Sequence, residues 1–287
     1  MAALDVHQHL WPESFVAALA RRRRPPRLHR HELVLEEGRF SYDPAADDLA
    51  ARLAALDRDG IERAVVSLQP TLGVEALPPA ERDELVEAWL AGTRELLDAA
   101  AGRLLAFAPG RVLDGFAGVS IPAAAVRDRD GLAPLLDALD ERAGVLFVHP
   151  GAAALPPGAP AWWAGIAEYT AQMQAAYLSW LAGGRSRWPS VRVVFAILAG
   201  GAPFQLERLA RRGVDVRSTL DPDVYLDVAT YGRRAIELCI ETFGVDQLVY
   251  GSDTPVADPA ATLHAVRGFG ESVHRMLTEV NTERLLG

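Results

Sequence analysis

Asp5-Val6-His7-Gln8-His9 lies in an apolar-leaning run near the start of the chain. In a β-strand, residues two apart point to the same side, so His7 and His9 would project together. Two imidazoles aimed at one point can bind a divalent first-row metal if further ligands join them. The rest of the chain must therefore bring those ligands to the end of this strand.

Eight short apolar stretches predict β-strands, and helical patterns separate most of them. The stretches are residues 4–9, 61–68, 104–108, 118–121, 144–149, 191–197, 224–228 and 247–251. Strands that alternate with helices are typical of a (β/α)8 barrel, and 287 residues is a usual length for one. We predict an α/β chain in which residues 1–287 form a single (β/α)8 TIM barrel.

One connection is unusually long. Residues 23–46 are polar, rich in Pro and Arg, and include His29 and His31. Because connections of this length are uncommon in compact domains, we expect either an extended functional loop or a small subdomain.

Composition excludes several classes of function. The net charge of −9 argues against nucleic acid as a partner, and no apolar run is long enough to cross a membrane. All 29 basic residues are arginine, which excludes a Schiff-base lysine, a pyridoxal-phosphate lysine and a carbamylated lysine between two metals. With Cys239 as the single cysteine, no internal disulfide forms. We expect a cytoplasmic protein with a small-molecule substrate.

Two further candidate ligands follow other predicted strands. His149 ends the fifth strand and Asp253 follows the eighth. In a (β/α)8 barrel the carboxyl ends of the strands meet at one rim, where active sites form. Together with His7 and His9, these residues predict a mononuclear site, which we expect to hold one divalent ion, zinc.

The sequence also resembles a known family. The resemblance rests on four stretches: Asp5-x-His7-x-His9, Phe147-Val148-His149-Pro150, Leu248-Val249-Tyr250-Gly251-Ser252-Asp253-Thr254-Pro255 and Asn281-Thr282-Glu283-Arg284-Leu285-Leu286. Together they are similar to the amidohydrolase superfamily, in the amidohydrolase-related branch that includes aminocarboxymuconate semialdehyde decarboxylase. The resemblance implies a (β/α)8 barrel, one divalent metal held by His7, His9, His149 and Asp253, hydrolysis or non-oxidative decarboxylation, and commonly a homodimer.

The chain departs from this family at the sixth strand. The family usually has a histidine before a Gly-Gly pair, and here Ile197 or its neighbour stands at that position before Gly200-Gly201. Isoleucine cannot transfer a proton, so that role is vacant or is filled from elsewhere. His29 or His31 could supply it from the long connection, or both are plain surface residues. A ligand-binding relative without catalytic activity is therefore a third hypothesis.

The two catalytic hypotheses give Asp253 different roles. In a hydrolase, our main expectation, Asp253 would take a proton from metal-activated water and pass it to the leaving group. In a decarboxylase, Asp253 would help to protonate carbon before CO2 leaves. Arg24 and Arg27 could pair with a substrate carboxylate, or be solvated charges. Candidate aromatic walls for the substrate are Trp11, Trp162 and Trp163, unless they serve packing or dimer contacts.

Overall fold

A computed structural model of the chain describes residues 2–216 and 220–287. Along the chain its strands are β1 (Leu4–His9), β2 (Arg27–His29), β3 (Glu32–Leu35), β4 (Gly38–Ser41), β5 (Arg63–Ser67), β6 (Leu104–Pro109), β7 (Gly118–Pro122), β8 (Val145–His149), β9 (Arg192–Phe195), β10 (Val224–Asp227) and β11 (Leu248–Val249). Within the described ranges, β1 and β5 to β11 form one parallel sheet in which each strand is bonded to the next.

The sheet closes on itself between its first and last strands. The amide of Val6 donates to the carbonyl of Tyr250 at 2.9 Å, and the amide of His9 donates to the carbonyl of Thr254 at 2.7 Å. These bonds join β1 to the short β11 and the segment that follows it. The sheet is therefore an eight-stranded barrel, as the sequence predicts.

Helices surround the barrel. They are α1 (Glu13–Arg21), α2 (Leu49–Asp59), α3 (Pro79–Ala99), α4 (Arg129–Asp140), α5 (Tyr169–Leu181), α6 (Gly184–Arg187), α7 (Pro203–Ala210), α8 (Arg233–Phe243), α9 (Pro259–Arg267), α10 (Glu271–Arg275) and α11 (Asn281–Leu286). Local chemistry sets their ends: Asp48 caps α2 by accepting from the amide of Ala51 at 2.7 Å, and Gly60 ends it at a φ of 69°. No helix among the described residues is both long and apolar enough to span a bilayer.

The long connection contains a small antiparallel sheet rather than an unstructured loop. β3 pairs with both β2 and β4, and Leu33 lies opposite Phe40. Leu33 and Leu35, two residues apart on β3, both line the cavity at the mouth of the barrel, as does Phe40. The small sheet thus covers the rim where the carboxyl ends of the barrel strands meet.

Candidate active site

The structure brings the four predicted metal ligands together. His7 and His9 lie at the end of β1, His149 is the last residue of β8, and Asp253 follows β11. One ligand atom from each lies within 4.8 Å of the others. All three histidines are buried, and the Asp253 side chain is 14% exposed.

The distances between these donors fit one divalent ion. Nε2 of His9 lies 3.2 Å from Nε2 of His7 and 3.2 Å from Oδ1 of Asp253, which is 3.5 Å from Nε2 of His7. Donors placed around a tetrahedral ion at metal–ligand distances near 2.1 Å lie about 3.4 Å apart. Two imidazoles and the carboxylate are therefore spaced as ligands of one ion would be, and a ring nitrogen of His149 lies within 4.8 Å of them, so the four could hold a metal ion.

Each of the three imidazoles is fixed through its other ring nitrogen. Donation of a proton from Nδ1 to an oxygen leaves the Nε2 lone pair free for a metal. The oxygens at Nδ1 are Oδ2 of Asp227 for His7 at 2.8 Å, the carbonyl of Ser67 for His9 at 3.0 Å and the carbonyl of Pro150 for His149 at 2.8 Å.

Asp227 is a functional candidate that no sequence motif indicates. It ends β10, is fully buried, and accepts from His7 and from the amides of Ala229 at 2.8 Å and Ile197 at 3.3 Å. The available signal was its position, because it ends the seventh barrel strand at the same rim as the ligands. Its contact with Nδ1 fixes the orientation of the His7 ring, as carboxylates often do beside histidines that bind metals.

The electrostatics of the group are set by burial and by close carboxylates. Burial lowers the pKa of His7, but Asp227 and Asp253 outweigh it and raise that pKa to about 9. Burial lowers the pKa of His9 and of His149, which keeps these two imidazoles in the neutral form that binds metals. Burial raises the pKa of Asp253, yet the neighbouring His7 and His9 hold it below its usual value.

A second buried carboxylate holds the ligand-bearing segments in place. Asp5 accepts from the amide of His7 at 3.0 Å, from Nε2 of Gln8 at 2.7 Å and from the amide of Ser252 at 3.1 Å. Burial raises the pKa of Asp5, and these donors act against that effect. Asp5 thus connects the start of the site on β1 to the segment that carries Asp253.

A cavity of about 700 Å³ opens above the metal-binding group. Its floor includes His149 and Asp253, and its lining includes the predicted Trp11 and Trp162. Trp11 stacks on Tyr42, with ring centroids 5.5 Å apart and planes 13° from parallel, which makes a flat wall. Such a site suits a small aromatic or conjugated molecule.

The other predicted substrate contacts lie elsewhere in the structure. Arg24 is 77% exposed in its side chain and pairs with Glu81 at 2.9 Å, while Arg27 begins β2. Trp163 donates its ring N–H to Glu168 at 3.1 Å. Within the described residues, the cavity lining includes none of Arg24, Arg27 and Trp163, so their substrate-binding role stays a prediction.

The two loop histidines do not replace the missing proton donor in this conformation. His29 and His31 are exposed, and neither lines the cavity as far as the described residues go. Ile197 does line it, at the rim of β9. At the position where the related family has a histidine, this chain thus has an apolar side chain in the cavity wall.

Comparison with known proteins identifies the family. A sequence model described as amidohydrolase matches residues 4–287. The chain belongs to the amidohydrolase family. The family expected from the sequence motifs is confirmed, and the chain is an enzyme of that superfamily, either a hydrolase or a carboxy-lyase. A search of curated proteins gives no match.

Solved structures with the same fold cover the whole barrel. IDCase from Metarhizium anisopliae, in apo form, has a TM-score of 0.82 and 20% identity over 99% of this chain and 97% of that one. The 5-carboxyvanillate decarboxylase LigW from Sphingomonas paucimobilis has a TM-score of 0.75 and 15% identity over 99% and 98%. A dihydroxybenzoic acid decarboxylase from Polaromonas sp. JS666, with bound manganese and the inhibitor 2-nitroresorcinol, has a TM-score of 0.73 and 15% identity over 99% and 96%. At these identities the likeness shows the fold.

Proposed function

We propose that this amidohydrolase is a metal-dependent carboxy-lyase that removes CO2 from a small aromatic or conjugated acid. The observation that carries the proposal is that Ile197, where the related family has a histidine, lines the same cavity as Asp253, which is the carboxylate of the metal-binding group. Decarboxylation needs one proton at carbon, and CO2 leaves without one. Hydrolysis needs a proton taken from water and another given to the leaving group, so it makes greater demands on a single carboxyl group.

Each group at the site would have a distinct role in decarboxylation. A bound divalent ion would supply Lewis-acid attraction for substrate oxygens. The three imidazoles and one oxygen of Asp253 would hold that ion. Trp11 with Tyr42 would fix the plane of the substrate. Asp253 would carry a proton from water to the carbon that bears the carboxylate. The bond from that carbon to CO2 then breaks, and its electron pair returns to the ring.

Hydrolysis is the second candidate, and one observation favours it. The neighbouring imidazoles keep the pKa of Asp253 low, so its carboxylate is suited to accept a proton from water. This is the main function expected from the sequence. The structures with a similar fold include decarboxylases, and they support the carboxy-lyase instead.

The identity of the metal is a separate proposal. Three histidines and one carboxylate suit zinc, as expected from the sequence. Manganese in the Polaromonas decarboxylase makes it the alternative, and metal analysis of the purified protein decides between them. The homodimer and the cytoplasmic location stay predictions.

The experiment compares both reactions on one protein. Metal-loaded enzyme is incubated in D2O with hydroxybenzoates, and separately with carboxylate esters and lactones. We expect CO2 release and deuterium at the vacated ring carbon. Asp253→Asn should lower the rate at least 1000-fold, whereas Asp246→Asn, an exposed charge before β11, should leave it within two-fold. Turnover of esters without CO2 release would favour hydrolysis. Ligand binding without any turnover would favour the non-catalytic relative.

A further inference from the structure

The cavity above the metal-binding group has a one-sided charge. Among the described residues its lining includes four acidic side chains, Glu37, Asp43, Asp47 and Asp253, and no arginine. The chain has no lysine, and its net charge is −9. One carboxylate of a substrate would therefore be attracted only by the metal ion. The acidic lining of the cavity would repel a second carboxylate on the same substrate.

Three of the four carboxylates already have a structural task. Asp253 belongs to the metal-binding group. Asp47 accepts from the amide of Trp11 at 2.8 Å and from the hydroxyl of Tyr42 at 3.0 Å, and Asp43 accepts from the amide of Ala45 at 3.0 Å. Burial raises the pKa of Asp47, and the buried guanidinium of Arg52 lies close enough to act against that effect.

Glu37 differs from the exposed Asp43 because it is half-buried, and from Asp47 because its neighbours supply no positive charge. It lies in the turn between β3 and β4 and reaches across to the barrel, where it accepts from the hydroxyl of Tyr169 and from the amide of Ala153 at 3.1 Å. Both donors are neutral. Within the described part of the chain, no arginine forms an ion pair with it. A carboxylate has about four acceptor sites, so two of them remain for a ligand.

Resting on the carboxy-lyase proposal, we infer that Glu37 determines specificity: it selects substrates that carry an amine or another hydrogen-bond donor away from the reacting carboxylate, and it excludes a second carboxylate there. Burial raises the pKa of Glu37, so its charge is costly while no cation faces it. An ammonium group of the ligand would offset that cost through a charge-assisted hydrogen bond.

The test uses three matched ligands on metal-loaded, full-length protein. They are 2-hydroxybenzoates that carry an aminomethyl, a methyl or a carboxylate group, each placed at ring position 4 and at ring position 5. Isothermal titration gives their Kd values. At the better ring position, we expect the aminomethyl compound to bind at least ten-fold more tightly than the methyl compound, and the carboxylate compound at least ten-fold more weakly.

Two variants and one control assign the effect. Glu37→Gln should lower the ratio of aminomethyl to methyl affinity at least five-fold. Glu36→Gln removes the same charge from the exposed neighbour and should leave the ratio within two-fold. Tyr169→Phe keeps the charge of Glu37 and removes one hydrogen bond, so the preference should persist. A preference lost as fully in Tyr169→Phe as in Glu37→Gln would overturn the inference, because the shape of the small sheet would then be its cause.

Failure of this inference can be told apart from failure of the proposed function. Equal affinity for all three ligands in a protein that releases CO2 would overturn the role of Glu37 and leave the carboxy-lyase intact. If the methyl compound binds equally well after the metal is stripped, the cavity does not present acids to the metal, and both proposals are wrong.

Discussion

At the scale of single residues, the site depends on a side chain that does not touch the proposed ion. Asp227 accepts from Nδ1 of His7 at 2.8 Å and is completely buried. Its charge raises the pKa of His7 and thereby makes the Nε2 lone pair of that ring a stronger metal ligand. The carboxylate also prevents rotation of the ring, since Oδ1 is held by the amide of Ala229 at 2.8 Å.

We therefore predict that Asp227→Asn weakens metal binding by about 10–100-fold without unfolding the chain. Asparagine carries no charge, and its single carbonyl oxygen can accept either from Nδ1 of His7 or from the amides of Ala229 and Ile197, but not from both sides. Competition against a chromophoric chelator measures the change. Asp223→Asn, at the other end of β10, is the matched control and should stay within two-fold. An unchanged affinity in Asp227→Asn would show that the His7 ring needs no carboxylate.

A second residue-scale prediction concerns Glu75. Burial raises its pKa to about 7, with only a backbone hydrogen bond acting against the effect. Between its unfolded value near 4.5 and about 7, the folded chain binds more protons, so stability falls as pH rises through that window. Glu75 is half-buried, so above pH 7 the variant Glu75→Gln should raise the free energy of unfolding by about 1–3 kcal/mol. The gain should vanish near pH 4. Urea unfolding at both pH values measures it, with Glu36→Gln as the exposed control. A gain of equal size at both pH values would contradict this origin.

At the scale of elements, the turn after β9 explains why the sequence and the structure differ there. The apolar run 191–197 predicts a strand to Ile197, but β9 ends at Phe195. Ile197, Leu198 and Ala199 then adopt φ values of 46°, 51° and 49°, and two glycines continue the left-handed turn. Each non-glycine residue in the left-handed conformation costs about 1–2 kcal/mol. The conformational preferences of these residues therefore do not predict the turn. Contacts made later in the chain hold the turn, among them that of Asp227 with the amide of Ile197.

Gly200 and Gly201 offer a matched test of that turn. Both have positive φ, 62° and 82°, so alanine is strained at either position. A methyl group on Gly200 would also overlap the carbonyl oxygen of Thr170, whereas on Gly201 its tightest contact would be the edge of the exposed Phe204 ring at 3.2 Å. Gly200→Ala should therefore destabilise the chain by about 1–3 kcal/mol more than Gly201→Ala. Urea unfolding of both variants checks this, and equal losses would mean that backbone strain alone matters.

At the scale of the whole molecule, the sequence reveals those site residues that can bind a metal and also lie at the end of a recognisable strand. His149 and Asp253 follow apolar runs, so the barrel rim brings them to His7 and His9 before any contact is known. The small sheet of β2 to β4 was not visible, since its strands have three or four residues and β4 is mostly exposed. The role of Glu37 depends on that sheet, and so the selective side of the cavity could not be predicted.

The ligand positions also connect metal binding to the stability of the barrel. His7 and His9 come from β1 and His149 from β8, whereas Asp253 lies just beyond the two-residue β11, where the barrel closes. An ion bound by all four would hold that closure in the folded state and would not bind the unfolded chain in the same way. At 100 times its Kd, such an ion adds about 2.7 kcal/mol to the free energy of unfolding.

Removal of the metal should consequently lower the Tm by about 5–10 °C, and added metal should restore it. Calorimetry of the purified protein with and without a chelator measures the shift. The His149→Ala variant lacks one ligand at the opposite side of the barrel from the closure, so its Tm should respond to the chelator by at most about 2 °C. A Tm that is the same in loaded and stripped wild-type protein would mean that the ion does not bind the folded chain more tightly than the unfolded chain. The metal-binding role of the four side chains would then be wrong, even though Asp5 and Asp227 hold the end of β1 in place.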